Sequence, residues 1–295
     1  MTNQFKEKFL THVRNLQDRI TQEMQRLDPS LKQIEDLWER NDHAGQPGGG
    51  GRTRAFSGEI FENAGVNTSC VFGKIDPAFA SKLQGTGDEM WAAGISLILH
   101  PRNPRVPTVH ANFRMIEQGS KVWFGGGADL TPFYPHEEDF RHFHGTWKNA
   151  AGDNYVWMKK ECDHYFVNQH RDGEMRGIGG LFFDGFNTGD MEKDFAMITA
   201  LSDQFIPSYF PLVEKRVQEK FSAEDEDFQL HRRGRYVEFN LLHDRGTLFG
   251  LKTNGRVDSI LISLPARCKF TYQYAPAAGS PHAKMLSYYR PQEWA

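Results

Sequence analysis

The sequence predicts an α+β protein, in which helices frame one large, mainly antiparallel β-sheet. Short apolar or alternating segments of strand length follow one another in the middle of the chain. Amphipathic segments of helical period precede and follow them, and no internal repeat or low-complexity tract divides the chain. A length of 295 residues with 39% hydrophobic content supports a real core. We therefore predict a single domain over residues 1–295.

The N-terminal region, residues 1–44, is predicted to be helical. Its first part carries apolar residues at spacings of three and four, which is the pattern of an amphipathic helix. The stripe consists of Phe5, Phe9, Val13, Leu16, Ile20, Met24 and Leu27. Pro29 ends that helix, and residues 31–38 predict a short second one. The glycine-rich residues 45–52 predict a flexible or ligand-covering loop, because no Lys-Ser/Thr pair follows them as in a phosphate-binding loop.

The centre of the chain predicts the sheet. Four segments alternate in polarity or are continuously apolar, namely 66–72, 94–99, 108–116 and 120–124. The three glycines at 125–127 follow the last of these and permit a close backbone approach to a neighbouring strand or a ligand.

The remainder alternates between helices and strands. We predict helices after Pro135, at 154–170 and at 190–221, and a glycine-opened strand within 176–185. Residues 234–270 predict three strands, with a hairpin turn at the Asn-Gly pair of residues 253–256.

Composition argues against several classes of function. The net charge is −3, so no overall basic field attracts nucleic acid. The longest apolar runs, 95–99 and 260–264, are far shorter than the roughly 18 residues of a membrane span. The cysteines, Cys70, Cys162 and Cys268, form no C-x-x-C pair, which argues against a zinc knuckle or an iron–sulfur cluster. Their odd number suits a reducing compartment, and we predict a cytoplasmic protein.

Residues 100–114 form the clearest candidate site. Three prolines in seven positions exclude a helix at the start of this segment. If the chain leaves them as a strand, His110, Asn112 and Arg114 share one face while Phe113 turns into the core. An imidazole, an amide and a guanidinium in one row place a proton donor beside anchors for a carboxylate.

Other histidines and arginines are further candidates. Four histidines lie where inward polarity is plausible, although their spacing matches no local ligand template: His100, His110, His144 and His170. Whether they bind a metal ion or are core residues is open on spacing alone. Five arginines lie on or beside predicted strands and could bind carboxylates or form solvated salt bridges: Arg114, Arg176, Arg235, Arg256 and Arg267. Asp184 ends an apolar strand, so it needs a partner, either a neighbouring arginine or an N–H-rich ligand.

Four long segments resemble the oxygen-dependent coproporphyrinogen III oxidases. They are HPRNPRVPTVHANFR at 100–114, WFGGGADLTPFY at 123–134, RGIGGLFFD at 176–184 and GRYVEFNLLHDRGTLFGLKTNGR at 234–256. The likeness extends over nearly the whole chain, from the loop at 48–52 to the C-terminus. The resemblance implies a large antiparallel sheet with helices on both faces and a homodimer formed through residues 236–271.

The resemblance also implies the reaction. Two propionates of coproporphyrinogen III are oxidatively decarboxylated to vinyl groups, which gives protoporphyrinogen IX for heme synthesis. Dioxygen is the acceptor, and carbon dioxide and hydrogen peroxide are released. No flavin, heme or iron–sulfur cluster is expected, whereas a divalent metal cation is.

Matched position by position, the resemblance assigns roles to named residues. His110 corresponds to the proton donor, and we add Asp184 as a second catalytic candidate suited to pyrrole N–H groups. The substrate-binding positions are Ser96, Asn112, Phe113, Arg114, Asn254, Gly255 and Arg256. The metal ligands are His100, His110, His144 and His170. One departure concerns Gly185, where the family commonly has a second aspartate.

Two other functions fit part of the pattern. A non-catalytic tetrapyrrole carrier explains the arginines and the 23 phenylalanines but not a proton donor among anchors. A histidine-metal oxygenase acting on another polycarboxylate explains the histidines.

Overall fold

The centre of the computed structural model, which describes residues 2–252 and 255–295, is a seven-stranded sheet whose neighbouring strands are all antiparallel. Its order is β1-β2-β3-β4-β5-β6-β9. The strands are β1 Lys32–Asn41, β2 Pro47–Ser57, β3 Phe61–Lys74, β4 Glu89–Pro101, β5 Thr108–Gln118, β6 Lys121–Thr131 and β9 Gly180–Phe186. Two short strands, β7 Val167–Asn168 and β8 Glu174–Met175, pair separately.

Helices precede, interrupt and follow the sheet. They are α1 Thr2–Leu27, α2 Pro77–Ala80, α3 Glu137–Ala151, α4 Tyr155–Tyr165, α5 Met191–Asp203, α6 Phe205–Arg216, α7 Ala223–Leu242, α8 Arg245–Lys252, α9 Val257–Leu261 and α10 Pro281–Tyr288. No helix within the described ranges is both long and apolar enough to cross a membrane.

Helices cover both faces of the sheet, as predicted. On one face α1 packs against β3 and β4, and its predicted apolar stripe is buried there. The ring of Phe113 on β5 stacks on Trp147 of α3, which places α3 on the same face. On the other face Tyr236 of α7 contacts His100 of β4, and α9 lies over β3. The α+β class with one large antiparallel sheet is therefore confirmed.

The prediction for residues 31–52 is wrong. Residues 32–38 of the predicted second helix lie in β1, and the predicted glycine-rich loop lies largely in β2. Glycine is needed in β2 because a Cβ at Gly51 would lie 2.4 Å from the Trp38 ring, and one at Gly50 would lie 2.1 Å from the Trp38 carbonyl oxygen. The glycines therefore let β1 and its tryptophan pack closely onto the sheet.

The prediction of three C-terminal strands is also wrong. The described part of residues 234–270 contains the helices α7, α8 and α9, followed by an irregular segment from residue 262, and it contains no strand. The helix α7 begins at a capping box, in which the Ser222 hydroxyl and the Asp225 carboxylate each accept from the other residue's backbone N–H. Thr253 and Asn254, the centre of the predicted hairpin, lie outside the described residues.

The helices between β6 and α7 agree better with prediction. α3 begins after Pro135 as expected, and Phe140, His144, Trp147 and Ala151 are buried on its inner face. The predicted helix at 154–170 ends earlier, at Tyr165. The glycines at 125–127 lie inside β6 and do not follow it. A Cβ at Gly127 would lie 2.5 Å from the Leu181 carbonyl oxygen of β9, so the close approach is to a neighbouring strand.

Candidate active site

One row of residues crosses the entire sheet on the face opposite α1. In register order the row is Asp36, Thr53, Asn67, Ser96, Asn112, Gly127 and Phe182. We call the face that carries this row the cleft face. Ser96 is exposed and Asn112 is half-buried, so the cleft face is open to solvent at β4 and β5.

His110 lies on the cleft face beside a buried ion pair. Asp129 is directly opposite on β6, and its Oδ1 lies 2.9 Å from His110 Nδ1. Arg176 donates to the same carboxylate from Nε at 2.9 Å and from Nη2 at 2.7 Å. His110 Nδ1 also lies 3.1 Å from Arg176 Nη2, but that nitrogen already donates to Asp129 at 2.7 Å. Because a carboxylate only accepts, we assign the proton of His110 to Nδ1, which donates to Asp129. The Nε2 atom is then the nitrogen available to a substrate, on a side chain that is 22% exposed.

The Asp129–Arg176 pair stays charged although it is buried. Their side chains are 1% and 2% exposed. Burial favours the neutral acid, but the charge of Arg176 and the hydrogen bonds from His110 and Arg176 hold the pKa of Asp129 below its ordinary value. Three aromatic rings surround the guanidinium at 4.2 to 4.9 Å. These rings belong to Phe166, Tyr236 and Phe239.

Arg114 shares the cleft face with His110, as the strand pattern predicted. Its Nη1 donates to Asn112 Oδ1 at 2.7 Å, and its Nη2 lies 3.0 Å from Asp184 Oδ1. The partner that Asp184 requires is therefore a neighbouring arginine. The Phe113 side chain points the other way and is fully buried, so this predicted substrate-binding residue can offer only its backbone to the cleft.

Glycines leave space around Arg114. Gly94 and Gly125 are its direct neighbours on β4 and β6, and a Cβ at Gly125 would lie 2.7 Å from Arg114 Nε. Gly185, where the family commonly has an aspartate, adopts a φ of +69°, and a Cβ there would lie 1.9 Å from Gln84 Nε2. An aspartate at 185 therefore requires a local rearrangement of the backbone.

The segment around α9 covers the cleft face over β1 to β3. Ser259 contributes two contacts, its hydroxyl 2.9 Å from Thr53 Oγ1 and its carbonyl accepting from Asn67 Nδ2 at 3.2 Å. Arg256, a predicted substrate residue, pairs with Asp36 at the end of the row, and Gly255 precedes it. These positions are thus on the same face as His110, but at the β1 edge of the sheet.

An aromatic wall borders the β9 end of the cleft face. Tyr165 stacks on Phe182, with ring centroids 4.3 Å apart. The guanidinium of Arg245 lies 4.7 Å above the Tyr165 ring, and the Tyr165 hydroxyl donates to Asp244 at 2.8 Å. Flat apolar surface and a cation therefore lie near His110, whose ring contacts Phe166, the neighbour of Tyr165.

The four predicted metal ligands do not meet. His100 contacts Thr108 and the Ser263 carbonyl, and His144 contacts Tyr155 and the Ile178 carbonyl. His170 bonds to Glu238 and to His243, while His110 bonds to Asp129. Across residues 2–252 and 255–295, no three His, Cys, Asp or Glu side chains are grouped so as to hold one ion. The arrangement does not fit a four-histidine metal site.

The five candidate arginines do not all lie on or beside strands. Of the five candidates, Arg114 lies on a strand and Arg176 shortly before one. Arg235 lies on α7 beside Glu174 and Glu238. Arg267 pairs with Glu62 and Glu226. Arg235 and Arg267 therefore form salt bridges, which was the alternative to carboxylate binding.

A comparison of the sequence with protein families shows the family to which the chain belongs. The sequence model of the family described as coproporphyrinogen III oxidase matches residues 8–294. The chain belongs to this family. Coproporphyrinogen III oxidases carry out the oxidative decarboxylation that forms part of heme biosynthesis, and this chain is accordingly an oxidoreductase acting on a tetrapyrrole.

In this coproporphyrinogen III oxidase, the strand pattern alone found His110, Asn112 and Arg114, but it missed Asp129. Asp129 lies within the segment at 123–134 that resembles the family, but its residue type alone indicates no role. A two-residue hairpin at Gly119 and Ser120 would have placed residue 129 opposite residue 110, because Gln118 then pairs with Lys121. A hairpin predicted at Gly119 and Ser120 would therefore have identified Asp129 as the neighbour of His110.

Proposed function

We propose that this oxidase uses dioxygen to convert two propionates of coproporphyrinogen III into vinyl groups, with His110 as proton donor. Each conversion breaks the bond to the carboxylate carbon and removes a hydride equivalent from the methylene attached to the pyrrole. The products are the vinyl group and carbon dioxide. Dioxygen takes the two electrons and that hydrogen, and it needs one further proton to become hydrogen peroxide. The conversion of each propionate therefore consumes one proton.

The observation that carries the proposal is the oriented, half-buried His110. Asp129 fixes the ring by accepting from Nδ1, and the charged Arg176 holds Asp129 in turn. Because Nδ1 donates to Asp129, the form of His110 that gives up a proton is the imidazolium, in which Nε2 carries the second proton. Because an electron-rich pyrrole reacts with dioxygen directly, the protein needs mainly to position the substrate and to transfer protons. A carrier has no need of an oriented proton donor.

The anchors of the proposed substrate site lie along the cleft face. Arg114 on β5 and Arg256 beside β1 are separated by about four strand spacings, or roughly 19 Å. Ser96 and Asn112 lie between them. Positive charges at separate places suit a ligand with several carboxylates, and the aromatic wall suits its macrocycle. Asn254 and Gly255 complete the predicted set beside Arg256, and Asp184 orients Arg114.

Turnover separates this proposal from its alternatives. Purified protein supplied with coproporphyrinogen III and oxygen is expected to release two carbon dioxide and two hydrogen peroxide per protoporphyrinogen. Removal of oxygen should stop the release of carbon dioxide and of hydrogen peroxide. Binding of the substrate without any product would instead identify a carrier. Activity on a different polycarboxylate that is abolished by chelation would identify a histidine-metal oxygenase.

Substituting Arg114→Ala should weaken substrate binding. A charge-assisted hydrogen bond contributes about 1.5–3 kcal/mol, so KM is expected to rise about 10-fold to 150-fold. Steady-state kinetics check this, with Arg19→Ala as the control, because Arg19 is a solvent-exposed arginine of α1 on the opposite face. An unchanged KM in the Arg114 variant would remove this residue from the proposed site.

We further propose that the enzyme is a homodimer formed through residues 236–271. That segment exposes large apolar side chains on α7, α8 and α9 and beyond them: Leu241, Leu242, Leu251, Val257 and Phe270. Apolar surface of this extent is typical of an interface.

Leu242→Glu is expected to shift the protein from dimer to monomer, because it places a charge in the proposed interface. Sedimentation equilibrium measures the mass. Val156→Glu is the control, since Val156 is 74% exposed but lies on α4, outside the segment. A monomeric parent enzyme, or equal effects of both variants, would refute the interface.

The divalent metal cation stays a prediction, and no step above depends on it. Turnover after chelation and metal add-back tests it. A cytoplasmic location is likewise proposed, supported by the three free cysteines.

A further inference from the structure

His144 lies behind the cleft with both ring nitrogens engaged. Its side chain on α3 is fully buried. Nε2 lies 3.1 Å from the Ile178 carbonyl oxygen and Nδ1 lies 2.7 Å from the Tyr155 hydroxyl. Because a carbonyl only accepts, Nε2 carries the proton and Nδ1 accepts from the tyrosine. Burial, and then the nearby charge of Lys159, lower the pKa of His144 to about 3, so the ring is neutral.

The Ile178 carbonyl belongs to the short segment 176–180, which connects Arg176 to β9. Backbone hydrogen bonds hold this segment on one side, from the Ile178 amide to the Leu130 carbonyl at 2.9 Å and from the Leu130 amide to the Gly179 carbonyl at 3.0 Å. The His144 imidazole holds it from the side of α3. A change in the position of Ile178 therefore moves Arg176, which is only two residues away.

We propose that His144 is a positioning residue, which fixes the segment 176–180 through the Ile178 carbonyl and so sets the place of Arg176 against Asp129 and His110. This inference rests on the proposed role of His110. Two series of hydrogen bonds are joined by the backbone between Ile178 and Arg176. In the first, Tyr155 donates to His144 and His144 donates to the Ile178 carbonyl. In the second, Arg176 donates to Asp129, which accepts from His110.

The same geometry argues against a role for His144 as a metal ligand. An imidazole coordinates through a ring nitrogen with a free lone pair. In this structure Nε2 carries a proton and Nδ1 accepts a hydrogen bond from the Tyr155 hydroxyl. Its neighbours in the described part of the chain offer no group of three ligands.

Two substitutions that place an amide at different ring positions test the inference. Glutamine at 144 puts its amide near the position of Nε2 and can still donate to Ile178, whereas asparagine reaches only the position of Nδ1. We expect His144→Asn to lower kcat about 10-fold to 100-fold with little change in KM, because a misplacement of about 1 Å costs up to that much. His144→Gln should recover most of kcat.

Hydrogen exchange supplies a readout that does not depend on turnover. The amides of Leu130 and Ile178 should exchange faster in His144→Asn than in His144→Gln, while amides in the middle of α1 stay equal. Binding of Mn²⁺ by equilibrium dialysis should be the same in both variants and the parent. Equal exchange and equal kcat in the two variants would overturn the positioning role, as would loss of bound Mn²⁺ with activity restored by added Mn²⁺.

The proton-donor role of His110 and the positioning role of His144 can be refuted separately. If His110→Ala has full activity, the proton-donor role fails, while the exchange data still report whether His144 holds the segment. If the segment loosens in His144→Asn without any change in kcat, the proton-donor role stands and the positioning role is refuted. Tyr155→Phe provides a second variant should asparagine prevent folding, and it should give a smaller change in the same direction.

Discussion

His110→Ala is expected to lower kcat by about 10²- to 10⁴-fold, the usual contribution of general acid–base catalysis. The reason is that the reaction consumes one proton per propionate, and Nε2 of His110 is the oriented nitrogen that faces the cleft. Binding of substrate under anaerobic conditions should change little, because Arg114 and the other anchors are unaltered. Steady-state kinetics and an anaerobic titration measure the two effects.

His142→Ala is the matched control for this variant. His142 is an exposed histidine of α3 that bonds to the Pro207 carbonyl at 2.9 Å, outside the cleft. The His142→Ala variant should have the kcat of the parent enzyme. A His110→Ala enzyme that keeps parental kcat, or loses substrate binding in proportion to kcat, contradicts the proton-donor role.

Arg176→Met should lower the free energy of unfolding by about 3–5 kcal/mol at neutral pH, because it leaves the buried Asp129 carboxylate without its counter-charge. In the parent, the lowered pKa of Asp129 contributes stability above the ordinary value of 3.8, and this is lost as the pH falls through the folded value. In the variant, burial without compensation raises that pKa. The difference between the two proteins should therefore shrink towards acidic pH, as denaturant titrations at several pH values can show.

Adding Asp129→Asn to the Arg176→Met variant tests whether the unpaired carboxylate causes the loss of stability. The double variant removes the unpaired charge and should recover part of the lost stability, although it should not recover activity because the His110 ring loses its carboxylate acceptor. If Arg176→Met is equally unstable with aspartate or asparagine at 129, the lost packing of Arg176 among the aromatic rings is the cause.

The sequence predicted the fold class and the faces of β5 because both depend on strong local patterns. The alternation from His110 to Arg114 follows from the period of a strand, and the stripe of α1 follows from the period of a helix. His110 and Arg114, the proposed proton donor and anchor, could therefore be placed on a common face without any tertiary information.

The C-terminal third could not be predicted in the same way. Residues 235–242 are rich in residues that favour strands, and an Asn-Gly pair follows them. Tertiary packing decides otherwise, because Phe228, Tyr236 and Phe239 recur at helical spacing and are buried in α7. Local propensity is a weak signal when packing opposes it.

The histidines show a third limit. The predicted inward position is correct for His100 and His144, which are buried, but wrong for His170, which is exposed. What the sequence could not supply is the partner of each ring, which comes from segments 8 to 163 residues away. The pairing of Arg176 with Asp129 has the same origin.

The order of the strands has a consequence for the assembly of the protein. Each of β1 to β6 pairs with its neighbour in sequence, so that part of the sheet can grow by short-range closures, which are rapid. Arg176, which contacts His110, lies 66 residues further along the chain and follows α3 and α4 in sequence. The first six strands therefore leave the ribosome before Arg176 does, and the hydrogen-bond network around His110 can be completed only after most of the sheet has been synthesised.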